Sequence, residues 1–352
     1  MTTFILDGVE KLTSVYVMLG AACNMRCRHC IEVKMPRLKK VVSPEVLEYL
    51  KLLTSTKRLK LVFFGGEPLL YKEQLHTIVE AVEGNADVTV ITNGSYLTDD
   101  DVEWMNTNNV AVAFSNDGPL THLTGRDNLL ENPAFVERFL KLKRKGIEGV
   151  IHAYSQDFQA VLEYFEEKAP GVPVYLGDLV VTQLCPDDYV CYDQETLRRN
   201  EERIVAETEK MLEGKPFNYS FVDLAARKAS IAMARLKGTL KNGYACGVIG
   251  HTLNIDLQGN VFLCHACDVK LGTIFDPLCD LQKRSHDIAE QTRKQDEDAK
   301  GCTTCEVNCF CAGKCPLEPP SANQKKGCEA VISLWRAVDK VVAMMGERNE
   351  NP

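Results

Sequence analysis

The chain has 352 residues, enough for one large core or two unequal ones, since a single core commonly stops growing at about 250–300 residues. Its 41 Lys and Arg against 49 Asp and Glu give a formal charge of -8, which excludes a strongly basic polyanion-binding face, so nucleic acid is not an expected partner. No run approaches the roughly 18 apolar residues of a membrane span, and MTTFILDGVEKL lacks a basic stretch followed by an apolar h-region, so a cytoplasmic protein with no membrane partner is expected.

In chain order, the apolar and β-branched runs SVYVMLG (14–20), KLVFFGG (60–66), DVTVITNG (87–94), VAVAFSNDG (110–118), GVIHAYS (149–155) and VPVYLGDLVV (172–181) predict strands. Helical patterns lie between several of them. In SPEVLEYLKLL, Ser43 is the predicted N-cap and Pro44 the first helical position. The alternation predicts an α/β fold with a parallel sheet covered by helices. Six strands fall short of a closed eight-stranded barrel, so a partial (β/α)6 TIM-like barrel is expected, with its chemistry at the C-terminal strand ends. DQETLRRNEERIVAETEKMLEGK (193–215) predicts a long helix that closes this barrel. LNIDLQGNVFLC (253–264) alternates about Gln258, Gly259 and Asn260 and predicts a hairpin, while KRSHDIAEQTRKQDEDAK (283–300) reads as a solvated helix face and linker. The expected division is a barrel over 1–220 and a second, cysteine-rich domain over 221–345.

Of the 15 cysteines, three lie at 23 to 30, none between 31 and 184, two at 185 and 191, and ten between 246 and 328. Without a secretory signal, reduced thiols are expected, so metal or redox chemistry is a better reading than disulfides. AACNMRCRHC (21–30) sets Cys23, Cys27 and Cys30 in a Cys-x₃-Cys-x₂-Cys array directly after the first strand. Four thiolates close a [4Fe–4S] cube, whereas three leave one iron open to a small molecule. A zinc knuckle that borrows a distant His or Cys is the alternative reading of the array alone.

The array, followed one strand later by FFGGEP (63–68), resembles the cluster and Gly-Gly-Glu-Pro motifs of the radical S-adenosylmethionine (SAM) superfamily. The resemblance implies that Cys23, Cys27 and Cys30 hold a cluster whose open iron chelates SAM. An electron then cleaves the sulfonium to methionine and a 5′-deoxyadenosyl radical. It also implies that Gly65 and Gly66, completed by Pro68, let the backbone approach the cofactor, and that Glu67 accepts hydrogen bonds from the SAM ammonium. SNDGPLTHLTGR (115–126) is similar to the subfamily pattern in which Ser115 meets the SAM ribose or carboxylate and Arg126 pairs with the carboxylate. Asp117 belongs to the same pattern, with a turn-holding role as the alternative, and Asn93 in ITNG is a further candidate for the SAM pocket. His29 stands where the family usually has an aromatic residue.

The spacing Cys246-x₁₂-Gly259-x₄-Cys264, Cys302-x₂-Cys305-x₅-Cys311-x₃-Cys315 and then Cys328 resembles the SPASM extension of that superfamily. A zinc ribbon accounts for only four of these thiols. The resemblance implies two auxiliary [4Fe–4S] clusters, and so three in all with SAM as cosubstrate. Cys302, Cys305, Cys311 and Cys328 would hold the one farther from SAM, and Cys246, Cys264 and Cys315 the nearer. Either Cys267 fills the fourth position of the nearer cluster or that position is open to substrate. Cys309 reads as a spare thiol. His265 stands where sulfatase-maturing relatives have a proton-removing Asp, and a hydrogen-bonded His near the cluster is the alternative. Cys185 and Cys191 are candidate hydrogen-atom donors or inert thiols.

The implied function is radical modification of a peptide or protein side chain by hydrogen abstraction, giving a crosslink, an oxidation or an epimerisation, a step that rests on subfamily analogy. Expected partners are that substrate and a flavodoxin- or ferredoxin-type reductant; with about 13 residues before the first strand, any leader is expected to be recognised by a separate protein or by the barrel itself. The alternatives are modification of a small molecule or nucleotide, and a non-enzymatic iron–sulfur electron-transfer protein. Substrate, bond formed and oligomeric state are not legible in the sequence.

Overall fold

The computed structural model describes residues 6–31, 41–181, 185–236, 249–311, 315, 318 and 320–350, without the side chains of 227, 230–236, 295–297, 309–310 and 346–350. Cys246 and the Cys309 side chain therefore lie outside the described residues. In chain order the main elements are β1 (Ser14–Met18), α1 (Pro44–Thr56), β2 (Leu59–Phe64), α2 (Lys72–Ala81), β3 (Ala86–Thr92), α3 (Asp99–Thr107), β4 (Ala111–Ser115) and α4 (Pro133–Leu140). Then come β5 (Lys145–Ile151), α5 (Phe158–Lys168), β6 (Val174–Asp178), α6 (Gln194–Leu212), α7 (Tyr219–Leu236), β7 (Thr252–Asp256), β8 (Asn260–Phe262), β9 (Lys270–Thr273), α8 (Leu278–Lys300), α9 (Asn308–Cys311) and α10 (Ala322–Glu350). Among the described residues no helix is long and apolar enough to cross a membrane.

The chain forms two compact units, one of Met1–Asn116, Gly125–Ile147 and Gly247–Gln291, the other of Asp117–Thr124, Glu148–Cys246 and Thr292–Pro352. In the first, the strand order is β5-β4-β3-β2-β1-β7-β8-β9. β1 to β4 pair in parallel, and each of the six predicted strands is present. The α/β fold with a mostly parallel sheet is as expected. α1 shows why the alternation is legible locally. Ser43 Oγ accepts from Val46 N at 3.3 Å, Pro44 opens the helix, and Val46, Leu50 and Leu53 recur on one buried face. Each such buried aliphatic side chain contributes about 1.5–3 kcal/mol.

Both ends of β5 differ from expectation. β5 begins at Lys145 rather than near 149, because Lys145, Gly146 and Glu148 interrupt the apolar alternation on which the reading depended. It stops at Ile151, where His152 N donates to Ser155 Oγ at 3.0 Å and the chain turns into a short 3₁₀ helix.

The predicted hairpin is β7 and β8, paired antiparallel around Gly259 at φ +79°, with Asp256 Oδ1 accepting from both Gln258 N and Asn260 N at 2.9 Å. It does not stand apart from the sheet. β7 pairs in parallel with β1, from Ser14 opposite Thr252 to Met18 opposite Asp256, and the two hydroxyls of the first pair lie 2.9 Å apart.

In the second unit β5 continues beside β6. α6 is capped by Asp193, whose Oδ2 accepts from Thr196 N at 2.8 Å. α10 packs along α6, with Ser333 Oγ donating to Leu197 O at 3.0 Å. Leu179, Val181, Cys185, Tyr189 and Val190 form a local core with Val150, Tyr154 and Tyr192 against it.

Candidate functional site

The cysteine loop leaves β1 and at once runs beside the residues that follow β2. Leu19 N donates to Phe64 O, Gly66 N to Gly20 O and Glu67 N to Ala22 O, at 3.0, 2.8 and 2.8 Å. These bonds bring the two backbones so close that side chains cannot be accommodated between them. A Cβ on Gly65, which sits at φ +144°, would fall 2.4 Å from Gly20 O, and one on Gly66 would fall 2.2 Å from Ala22 O. Gly125, at φ +79°, packs the same way, its absent Cβ 2.4 Å from Arg26 O. Three glycines thus hold the backbone that carries Cys23 and Cys27, and Gly125 delivers Arg126 beside it. Tyr71, in the 3₁₀ turn Pro68–Tyr71, accepts from Ala22 N at 2.9 Å and fills the space a side chain on Gly20 would need.

Glu67 is fully buried. Its Oε1 accepts from Leu69 N at 2.9 Å and from Thr92 Oγ1 at 2.5 Å, and its Oε2 from Asn93 N at 2.8 Å. Burial pushes the carboxyl up from its ordinary pKa, against the pull of those donors and of Lys72. The side chain therefore ties the end of β2 to the end of β3, a role that the motif alone did not reveal. Glu67→Gln turns an amide N–H toward existing donors. The variant is expected to lose about 1–3 kcal/mol, read as a fall in urea midpoint at unchanged slope.

Beyond this tie, Asn93 Nδ2 reaches Asn24 Oδ1 at 3.0 Å and Cys23 Sγ at 3.7 Å, and Met25 N donates to the same sulfur at 3.4 Å. Cys23, Cys27 and Cys30 are half-buried, and Cys30 N closes a turn on Cys27 O at 3.2 Å. Burial pushes the Cys23 thiol up in pKa, against the backbone bond from Met25. The sequence reading missed Asn24, Ser95, Thr92, Tyr71 and Gly125. Asn24 lies inside the cysteine motif and Ser95 ends ITNGS, so nearness to the motifs was the available signal.

Ser115 is the last residue of β4, half-buried, and Arg126 lies in the same unit. Asp117 belongs to the second unit, where it is buried. Its Oδ1 accepts from Val150 N at 3.0 Å, its N donates to Thr121 Oγ1 at 3.1 Å, and His152 Nε2 lies 3.7 Å from its Oδ2. It holds the turn after β4 against the end of β5.

In the first unit, β8 delivers Cys264 and His265. The imidazole stacks on Tyr16 at 4.8 Å between ring centroids and meets Phe64 edge-on at 5.1 Å. Desolvation pushes its pKa down to about 4, so it is neutral at physiological pH and a weaker base than an ordinary His. Its Nδ1 lies 3.9 Å from Cys264 Sγ. Cys267 is buried, with its thiol toward Cys264 O at 3.7 Å and its pKa raised by burial.

In the second unit, Cys302 and Cys305 share a short turn, Cys305 N donating to Cys302 O at 3.1 Å. Cys311 N donates to Val307 O at 2.8 Å. Cys328, on α10, receives Gln324 Nε2 at 3.2 Å. Cys302, Cys305, Cys315 and Cys328 are half-buried and Cys311 is buried. Cys185 is buried in the local core, while Cys191 is exposed with its thiol on Asp187 O at 3.3 Å.

Three cysteine thiols on a loop held by glycines, with N–H donors aimed at one sulfur, fit the soft thiolate set an iron–sulfur cluster takes. The comparisons agree. Residues 17–152 match the radical SAM superfamily. Over 168 residues the chain is 32% identical to a serine-type anaerobic sulfatase-maturating enzyme of Bacteroides thetaiotaomicron, covering 42% of this chain and 41% of that protein. It is also 36% identical over 99 residues to an S-adenosylmethionine-dependent nucleotide dehydratase of Lacinutrix mariniflava, covering 26% of this chain and 21% of that one. The chain thus aligns with less than half the length of either relative. Its fold matches the solved structure of anSMEcpe with bound AdoMet and Cp18Cys peptide, at a TM-score of 0.67 and 17% identity, over 96% of this chain and 99% of that one. Residues 17–152, which carry the three-cysteine loop, the Gly-Gly-Glu-Pro turn and the strand ends that hold them, are thus a radical SAM domain.

Proposed function

We propose that the protein is a SPASM-type radical SAM maturase that modifies a side chain of a peptide or protein. The observation that carries this reading is the glycine-held loop of Cys23, Cys27 and Cys30 in one chain with the cysteines from Cys264 to Cys328. When bound, a [4Fe–4S] cluster and SAM supply one-electron cleavage of the sulfonium to methionine and a 5′-deoxyadenosyl radical. Cys23, Cys27 and Cys30 hold that cluster. Ser115 and Arg126 take the polar groups of SAM, Arg126 as a planar fork for the carboxylate, and Gly65, Gly66 and Pro68 shape the floor. Glu67 Oε2 accepts from Asn93 N, and a carboxylate oxygen with two lone pairs keeps acceptor capacity for the SAM ammonium. Cys302, Cys305, Cys311 and Cys328 hold one auxiliary cluster, and Cys246, Cys264 and Cys315 the other. The electron comes from a flavodoxin- or ferredoxin-type donor.

The similarity to a sulfatase-maturating enzyme supports a protein or peptide substrate, and a separate leader-binding protein is part of this proposal. The shorter likeness to a nucleotide dehydratase supports the second reading, a nucleotide substrate. The two separate in one experiment. Anaerobically reconstituted protein with dithionite and SAM is incubated with short peptides encoded beside its gene or with nucleoside triphosphates. Peptides that lose two hydrogens or exchange a Cα hydrogen support the maturase. Turnover confined to a nucleotide overturns it.

The fourth position on the nearer auxiliary cluster is proposed to be open to substrate, because the Cys267 thiol is turned toward its own loop at Cys264 O. Cys267→Ala is then expected to leave that cluster's electron paramagnetic resonance (EPR) signal unchanged. An altered signal would make Cys267 the fourth ligand.

A further inference from the structure

Beside Cys23 lies a small ring of amides and a hydroxyl whose directions can be deduced. Asn93 Oδ1 faces two donors, Ser95 N at 3.0 Å and Ser95 Oγ at 2.5 Å. Two donors on one atom identify it as the amide oxygen, so the other end is the NH₂. That NH₂ faces Asn24 Oδ1 at 3.0 Å and Cys23 Sγ at 3.7 Å. Asn24 Nδ2 in turn donates to Ser95 Oγ at 2.9 Å. The hydroxyl has a single proton, and the 2.5 Å contact with Asn93 claims it over the 3.2 Å approach to Asn24 Oδ1. Every polar atom of the ring thus has one role.

The ring is anchored from below. Asn93 N is held by Glu67 Oε2 at 2.8 Å, Glu67 is held by Thr92 and Leu69, and Gly94 N donates to Thr92 Oγ1 at 3.0 Å. Asn93 itself is only 9% exposed. A chain of hydrogen bonds therefore runs from the Gly-Gly-Glu-Pro turn, through buried Glu67 and Asn93, to one particular sulfur.

We propose that Asn93 is a positioning residue that donates an N–H to the Cys23 sulfur of the bound cluster and raises its reduction potential, with Asn24 and Ser95 fixing the amide. This rests on the reading that Cys23, Cys27 and Cys30 hold the cluster. A donor aimed at a sulfur ligand favours the more negative, reduced state, because a hydrogen bond to a charged acceptor is stronger than one to a neutral acceptor. Loss of the donor makes the same one-electron reduction harder. Nothing in this role requires Asn93 to touch SAM.

The test is an EPR-monitored redox titration of the anaerobically reconstituted full chain. It follows the signal that the Cys23, Cys27 and Cys30 triple Ala variant lacks. Asn93→Leu keeps the size and removes the donor. Its midpoint is expected to fall by about 59 mV, a tenfold smaller equilibrium constant for one-electron reduction. Asn93→Asp, which replaces the donor by a negative acceptor, is expected to fall further. Ser95→Ala, which keeps the amide but frees it to turn, is expected to fall less. An unchanged midpoint in Asn93→Leu overturns the proposal. Should that variant take up no cluster, Ser95→Ala decides alone, an unchanged midpoint again overturning it. If the unaltered protein shows no signal that depends on the three cysteines, the cluster reading itself fails and this inference with it.

Discussion

Replacing Cys23, Cys27 and Cys30 together by Ala is expected to abolish formation of 5′-deoxyadenosine from SAM while leaving about two thirds of the iron. On the proposed assignment, three four-iron clusters amount to about twelve iron atoms per chain, and the triple variant would lose the ligands of one cube only. Of the proposed auxiliary ligands, Cys302, Cys305, Cys311, Cys315 and Cys328 belong to the second unit, and Cys264 lies in the first just after β8 rather than in the cysteine loop. Iron analysis and chromatography of the nucleoside product, with dithionite as reductant, read both parts of the expectation. Turnover equal to that of the unaltered protein would reject these cysteines as the SAM-cleaving site. Complete loss of iron would show that the auxiliary sites depend on the first.

A large effect is also expected from one methyl group. In Gly66→Ala the new Cβ would sit 2.2 Å from Ala22 O and 2.5 Å from Ala22 C, with Ala21 O at 2.7 Å. These are backbone atoms, which no rotamer change can move. The backbone can give way only by breaking Gly66 N to Gly20 O or Glu67 N to Ala22 O, both 2.8 Å. Overpacking of this kind commonly costs about 1–3 kcal/mol, and here the displaced segment leads directly into Cys23. The variant should therefore lose the cluster of the three-cysteine loop and fall at least about tenfold in SAM cleavage, while keeping its auxiliary iron. Gly177→Ala is the control, because its Cβ would meet nothing closer than Tyr175 Cε1 at an ordinary 3.5 Å. Normal loading in Gly66→Ala would show that the loop tolerates displacement.

The strand and helix alternation, the capped start of α1 and the hairpin of β7 and β8 were legible because each depends on contacts within a few residues. Period, cap and turn chemistry are local. The grouping of Cys23, Cys27 and Cys30 was legible for a similar reason, since all three lie within one short loop. The start of β5 was not legible, because Lys145, Gly146 and Glu148 carry no strand pattern, and their place is set by the neighbouring strand β4 and by Lys145 Nζ on Leu140 O and Leu142 O.

What the sequence by itself determined is thus an α/β chain, its three-cysteine loop after the first strand, and a C-terminal set of thiols with the spacing of a cluster-binding extension. Only the tertiary structure decided that β7 lies along β1, a pairing that includes Thr13 Oγ1 on His251 O at 3.0 Å across 238 positions of chain. It alone decided that Gly65, Gly66 and Gly125 face the cysteine loop, that the Glu67 carboxylate is engaged by its own backbone and Thr92, and that Asn93 turns its NH₂ toward Cys23. The physical reason is the same in each case. These features arise where segments distant in sequence are packed to within a hydrogen bond of one another, and residue spacing carries no record of which distant backbone will be the neighbour.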